Sequence, residues 1–152
     1  MDTLKLKGVY SFTITGTDGQ VRDTFEVENL VTNAGFAQLA LLAGDASAVP
    51  FTYLAVGTSS TAPAVTDTAL GAEITTIGLE RVAGTVSRVT TTGTNDTYKI
   101  TTTWTASGTV AVEEVGVFND ASAGTMLSHA LTGTKAVTNG ETLTGTYQLQ
   151  VA

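Results

Sequence analysis

The chain has 152 residues, of which 42% are hydrophobic and 14% are charged, and its 14 acidic and 7 basic residues give a formal charge of −7. A chain of this length buries about two-thirds of its unfolded surface, so residues 1–152 are expected to form one domain with its own core. The absence of cysteine excludes disulfides, thiolate metal sites and a cysteine nucleophile. The acidic balance and scattered basic residues argue against a nucleic-acid or anionic-membrane surface, because both partners require clustered Lys and Arg.

The residue composition favours β-structure. The chain contains 31 threonines and 16 glycines but only 2 prolines. Threonine is a β-branched strand former and glycine marks turns, so an all-β domain is expected. The first residues lack the basic and apolar layout of a signal peptide, so synthesis in the cytoplasm is expected.

The first elements are a hairpin and a helix. Apolar and polar residues alternate from Leu4 to Ile14 and from Val21 to Val27, with turn residues between them, which predicts a β-hairpin over residues 3–28. The pattern then becomes Ala- and Leu-rich, which predicts one short helix near residues 32–43. Because this helix is apolar nearly all round, we expect it to be buried against the sheet or against a neighbouring subunit. In the first case Phe36, Leu39 and Leu42 pack against the sheet.

The middle of the chain predicts a strand over residues 51–57 and an exposed loop over residues 58–64. A long strand is expected from Leu79 to about Thr92, and a turn at residues 93–96 leads into a strand over residues 98–106.

Two further hairpins are expected in the last third. One joins strands Val110–Phe118 and Thr125–Leu131, and the other follows Asn139 and Gly140 and ends with a strand over residues 143–151. Eight or nine antiparallel strands and a single helix predict a β-sandwich of jelly-roll type, or a flattened barrel.

Catalytic chemistry has little support in the sequence. His129 is the only histidine, and neither a G-x-S-x-G nor an S-x-x-K motif is present. We expect His129 to be a structural residue at the surface or half-buried, and single aspartates such as Asp67 to form turns. No catalytic, cofactor-binding or metal-binding residue is predicted.

Two other groups of residues have alternative interpretations. Glu113 and Glu114 are adjacent on a predicted strand, so their side chains point to opposite faces unless a bulge rotates one of them. We expect Glu113 to be solvated and Glu114 to pair with a basic neighbour such as Arg81 or Arg88. The alternative is a contact with a ligand or a subunit. Trp104 and Tyr98 share a face, which favours core packing over a sugar-stacking platform.

Several segments between residues 29 and 152 together resemble virion structural proteins of tailed bacteriophages. In chain order these segments are Asn29–Phe36, Phe51–Thr58, Ala62–Pro63, Asp67–Glu73, Glu114–Asn119, Gly124–Leu127 and Thr142–Tyr147. The arginine that follows Ala-Glu in the pattern is displaced here to Arg81. The resemblance implies structural roles for Glu114 and Gly116 and carries over no catalytic residue.

The resemblance implies a capsid decoration (cement) protein, a head fibre or a tail-fibre component. The chain shows no collagen-like repeat or coiled coil, so we expect a decoration protein that binds the major capsid protein on the outer capsid surface as a homo-oligomer, a trimer. It is expected to be neither an enzyme nor a partner of nucleic acid or membranes. The alternatives are a tail-fibre or baseplate component and a carbohydrate-binding or adhesin module.

Polar segments that flank strong strands are the candidate partner-binding residues. They are Met1, Asp2, Thr3, Thr58, Ser59, Ser60, Thr61 and Pro63.

Overall fold

The computed structural model describes residues 3–152. Within them lie ten strands and one helix. In chain order they are β1 (Leu6–Thr15), β2 (Val21–Glu28), β3 (Leu30–Val31), α1 (Asn33–Gly44), β4 (Tyr53–Gly57), β5 (Val82–Ala83), β6 (Thr85–Val89), β7 (Thr97–Thr105), β8 (Val110–Phe118), β9 (Met126–Val137) and β10 (Thr142–Val151).

The strands form two antiparallel five-stranded sheets. Sheet A has the order β2-β1-β10-β7-β6, and sheet B has the order β3-β9-β8-β4-β5. The predicted all-β sandwich with one short helix is therefore confirmed. The strand count is ten rather than eight or nine, because β3 and β5 are only two residues long and leave no alternation in the sequence.

Sheet A is built on the first and last strands, which pair along their whole length from Leu6 with Val151 to Thr15 with Thr142. The N-terminal hairpin is confirmed, with Phe12 opposite Phe25. Side chains at every second position of β1 and β10 are buried, which places Tyr10 and Tyr147 with their rings 4.5 Å apart in the core. The Tyr10 hydroxyl hydrogen-bonds the Ser128 hydroxyl of sheet B, which joins the two layers.

Threonines on the outer face of sheet A explain much of the unusual composition. Thr101 and Thr146 share a hydrogen bond of 3.0 Å between their hydroxyls, and Thr103 and Thr144 do the same. Such cross-strand pairs stabilise a solvent-facing sheet, where the branched side chain favours extended backbone.

The single strand expected from Leu79 to Thr92 is wrong. The chain forms β5 in sheet B and β6 in sheet A, and Gly84 crosses between the two layers. A Cβ atom at Gly84 would lie 2.5 Å from the Ile100 side chain, so this crossing requires a residue without a side chain. The hairpin between β6 and β7 is confirmed.

The prediction of a final hairpin is also wrong. The strand expected to end at Leu131 continues as β9 to Val137, and β9 and β10 belong to different sheets. Residues 138–141 therefore connect the layers, with Gly140 at a φ of 87° that glycine adopts without strain.

The helix α1 is capped by Thr32 and is only partly buried. The Thr32 hydroxyl accepts the Gly35 N–H at 2.9 Å, and Gly35 lies so close to β9 that a Cβ atom would be 2.3 Å from the Leu127 carbonyl oxygen. Leu39 and Leu42 are partly buried against the core, whereas Phe36 is 50% exposed. The expectation that the sheet buries α1 is therefore wrong for Phe36, because only one side of α1 contacts the sandwich and the other side has no covering element among residues 3–152. Burial against a neighbouring subunit stays a prediction.

Within residues 3–152, no helix has the length and apolar character needed to span a bilayer.

Leucine-to-alanine substitutions should destabilise the protein in the core but not on the exposed side of α1. Leu127 is 1% exposed and Leu41 is 47% exposed. We expect Leu127→Ala to lower the free energy of unfolding by about 2–5 kcal/mol through the cavity it leaves. Leu41→Ala, the matched control, should change it by less than about 0.5 kcal/mol. Urea denaturation followed by Trp104 fluorescence measures both, and equal losses would contradict the packing described here.

Candidate functional site

A loop over residues 58–72 covers the outer face of sheet B, and we refer to it as the cover loop. It begins after Gly57 and ends before Glu73, and these two residues form an antiparallel bridge. The cover loop contains no helix or strand, so the expectation of an irregular segment at residues 58–64 is confirmed. Leu70, within the cover loop, packs into a second apolar cluster with Ala55, Phe118 and Met126.

Glu114 connects the cover loop to sheet B. The strand β8 changes register between Val112 and Glu114, and this bulge turns Glu114 away from the sandwich core and under the loop. Its carboxylate is 0% exposed and accepts backbone N–H groups of Gly71 at 3.0 Å and Ala72 at 2.8 Å. A buried carboxylate requires such donors, so Glu114 determines where the end of the loop lies.

His129 forms a second connection. Its Nε2 lies 2.8 Å from Glu114 Oε2, and its Nδ1 lies 2.8 Å from Asp67 Oδ2. The ring is only 3% exposed. Asp67, His129 and Glu114 therefore form a continuous row from the cover loop through β9 to β8, and we refer to this row as the histidine clamp.

Asp67 lies at the outer end of the histidine clamp. Its carboxylate also accepts the Ala64 N–H at 2.8 Å, so it forms the turn expected from the sequence. The Ala64 N–H, and after it His129, hold the pKa of Asp67 below its ordinary value. Asp67 is thus stabilised as a carboxylate facing the imidazole ring.

The contacts of the histidine clamp lie within the chain and join the cover loop to sheet B. The two carboxylates lie on opposite ring nitrogens, so the three groups do not converge on one point that a metal ion or substrate atom could occupy. Among residues 3–152, no group of three or more His, Asp or Glu side chains is placed to hold a metal ion. The arrangement fixes the cover loop on the sheet.

Gly57 is required by this arrangement. A Cβ atom there would lie 2.3 Å from Glu114 Oε1 and 2.6 Å from the Ala72 carbonyl oxygen. Any side chain at this position would displace the buried carboxylate or the end of the loop.

Two sequence-based expectations at this site need correction. The basic neighbour of Glu114 is His129 rather than Arg81 or Arg88, because Arg81 donates instead to both oxygens of Glu73 at 2.7 and 2.9 Å. The Arg81 guanidinium also lies 3.6 Å above the Phe118 ring. His129 is fully buried rather than at the surface or half-buried, because the cover loop lies over the face of β9 from which it projects.

A signal for the contact between Glu114 and His129 was present in the sequence. In the hairpin of β8 and β9, Gly116 pairs with His129. Glu114 is two residues from Gly116 on the same face, which makes it a diagonal neighbour of His129. Pairing the two predicted strands residue by residue would have brought these side chains together.

Most of the candidate partner-binding residues lie at the surface. Met1 and Asp2 lie outside the described residues. Thr3, Thr58, Ser60 and Thr61 are exposed, and Ser59 and Pro63 are partly exposed. Leu4, which follows Thr3, and Val65, which follows Pro63 by two residues, line the same groove.

This groove, about 660 Å³ in volume, lies between the start of β1, the end of β2 and α1. We refer to it as the apolar groove, and its apolar lining includes Leu4, Leu6, Val27, Leu30, Phe36 and Val65. Leu4 is 70% exposed and Val65 is 45% exposed. Lys7, Glu26 and Glu28 contribute charges to the lining.

Trp104 and Tyr98 form no exposed platform. Trp104 is buried and its Nε1 donates to the Glu80 carbonyl at 2.8 Å, and the Tyr98 hydroxyl donates to the Phe51 carbonyl at 2.7 Å. The interpretation of these two residues as core residues is supported.

Comparison of the chain with protein-family models, curated proteins and solved structures finds no match in any of the three. The resemblance to tailed-phage virion proteins therefore stays a sequence-based prediction.

The adjacent glutamates provide a matched test of the histidine clamp. Glu114→Gln places an amide NH₂ group, itself a donor, opposite the N–H groups of Gly71 and Ala72. We therefore expect the free energy of unfolding to fall by about 2–4 kcal/mol. Glu113 is partly exposed and accepts only the Thr134 hydroxyl at 2.8 Å, a bond that glutamine preserves. Glu113→Gln should therefore change stability by less than about 0.5 kcal/mol. Chemical denaturation measures the free energy of unfolding of both variants. If Glu114→Gln leaves this free energy unchanged, Glu114 does not anchor the cover loop.

Asp67 should contribute to stability in a pH-dependent way. Because its folded-state pKa is lowered, its contribution is present above the ordinary pKa of 3.8 and is lost as the pH falls through the folded-state pKa. The difference in unfolding free energy between the wild type and Asp67→Asn should be largest near neutral pH and shrink below pH 3.8. Urea denaturation at a series of pH values measures it, and a difference independent of pH would contradict the assignment.

Proposed function

We propose that this domain is a capsid decoration (cement) protein that binds the outer surface of an assembled bacteriophage head and stabilises it by bridging major capsid protein subunits. The observation that carries the proposal is the apolar groove, together with the cover loop beside it, on an otherwise acidic domain. The sequence resemblance between residues 29 and 152 supplies the virion context.

The apolar groove has the composition of a protein interface. Leu4, Phe36 and Val65 expose apolar surface next to one another, although solvent-exposed apolar side chains are normally scattered singly. Charged residues such as Lys7 and Glu28 lie beside them. An apolar centre with polar residues around it is the usual anatomy of a protein–protein contact.

The net charge fits an exterior position. A protein that faced packaged nucleic acid would require clustered cations, whereas this chain carries a formal charge of −7. An exterior protein that binds only the assembled lattice stabilises the lattice by mass action. At a hundredfold excess over Kd this amounts to about 2.7 kcal/mol per site.

The proposed assembly is a homotrimer on the capsid surface, with the major capsid protein as partner and no catalytic activity. A tail-fibre or baseplate component would use the same apolar groove and differs in location and copy number. A glycan-binding module is less well supported, because Trp104 and Tyr98 are engaged in the core.

Two valines of equal exposure test the apolar groove. Val65 lines it and is 45% exposed, whereas Val86 lies on β6 and is 44% exposed. Val65→Asp should abolish co-sedimentation with purified shells that lack this protein, because it places a charge in an apolar contact. Val86→Asp should bind shells like the wild type. Both variants should retain the wild-type melting temperature and Trp104 fluorescence.

Light scattering of the purified protein and titration of the shells complete the test. A trimer that saturates shells at a fixed ratio to the capsid protein supports decoration. Wild-type protein that does not bind shells refutes the proposal, and equal binding by Val65→Asp refutes the groove as the contact.

A further inference from the structure

We propose that the histidine clamp is a pH-operated latch for the cover loop: a doubly protonated His129 ring holds the loop on sheet B, and loss of one ring proton releases its Asp67 end. The proposed consequence for partner binding rests on the function proposed above. The latch itself is a property of the isolated domain.

The proton requirement follows from the contacts of the ring. Each ring nitrogen faces a carboxylate oxygen at 2.8 Å. A neutral imidazole carries one N–H, so one of its nitrogens would then direct a lone pair at a carboxylate. Both contacts are favourable only when a proton stands on each nitrogen, and the charged ring then forms two charge-assisted hydrogen bonds.

The Asp67 end is the one that opens. Glu114 is fully buried and keeps the Gly71 and Ala72 N–H groups whatever the state of the ring. The side chain of Asp67 is 27% exposed and has solvent available in place of His129. Loss of a ring proton therefore leaves residues 71–72 in place and frees residues 64–70.

Release of this segment changes the apolar groove. The Val65 carbonyl accepts the N–H of Asn33 at the start of α1 at 2.8 Å, and the Val65 side chain lines the groove. Asp67 lies two residues further along the chain. The protonation state of His129 thus determines whether Val65 is held in the proposed contact surface.

The clamp is isolated from other ionisable groups on the elements that pack against β9. On β8, Glu113 bonds Thr134, and on β9 itself Lys135 lies 3.7 Å from Asp23 of β2. Arg22 of β2 pairs with Glu141, and Glu26 and Glu28 of β2 line the apolar groove. Neither β3 nor α1 carries an ionisable side chain. The groups that face the ring are therefore Asp67 and Glu114.

Tyr10 is a buried phenol whose hydroxyl bonds Ser128, the residue before His129 in the chain. Burial raises the pKa of Tyr10 well above its ordinary value, and burial raises that of Tyr147 as well. These hydroxyls keep their protons while the ring titrates.

The test combines two measurements on the full chain. His129 is the only histidine, so NMR of a histidine-labelled sample gives one ring whose protonation can be followed against pH. Hydrogen–deuterium exchange of residues 64–70, corrected for the pH dependence of intrinsic exchange, is measured on the same samples. We expect exchange to rise about tenfold as the ring loses its proton, with no change in strands β1 and β10.

Two variants supply the controls. His129→Gln has no titratable ring, so exchange of residues 64–70 should lose its pH response. Asp96 caps a different loop through the N–H groups of Thr91, Thr92 and Gly93, so Asp96→Asn should keep the response. Trp104 fluorescence verifies that each variant is folded. If His129→Gln does not fold, the wild-type comparison of ring protonation with exchange at residues 64–70 still tests the latch.

The latch is refuted if the ring loses its proton without faster exchange at residues 64–70, or if His129→Gln shows the wild-type pH profile. Neither result depends on shells. Shells that do not bind the wild type at any pH refute the proposed function and leave the latch intact.

Discussion

The buried carboxylate of Glu114 is the constraint on which the outer layer of this domain depends. A carboxylate excluded from water must receive hydrogen bonds, and the Gly71 and Ala72 amides and His129 supply them. Meeting this requirement brings fifteen residues of irregular chain across sheet B. Sheet B is consequently covered on both faces, which explains why β4 is a continuous apolar run whereas β1 alternates.

Local pattern predicts the parts of the fold in which neighbours in sequence are neighbours in space. The hairpins of β1 with β2, β6 with β7 and β8 with β9 follow from alternation and turn residues. The strand expected over residues 79–92 divides at Gly84 because β5 pairs at the edge of sheet B and β6 pairs at the edge of sheet A. The local pattern does not show which sheet has an unpaired edge. The exposure of Phe36 depends on whether another element covers α1, and helical periodicity carries no information on that.

The candidate site could also be predicted in part from the sequence. The sequence singled out His129, Glu114 and Asp67 separately, each with a structural interpretation, but assigned Glu114 the wrong partner. Choosing between Arg81 and His129 required the path of the cover loop, since Arg81 is drawn to Glu73 at the loop's end. The apolar groove was not predicted, because its lining comes from the start of β1, the end of β2, α1 and the cover loop.

The pairing of the first strand with the last has a consequence for how the chain reaches its native state. β1 lies between β2 and β10, so its inner edge has no partner until the C-terminal residues are available. Contacts of such sequence separation form slowly, because a long loop must close before any hydrogen bond compensates the lost entropy. During synthesis, one edge of the N-terminal hairpin therefore stays unpaired until residues 142–151 have been made, and sheet A cannot be completed before then.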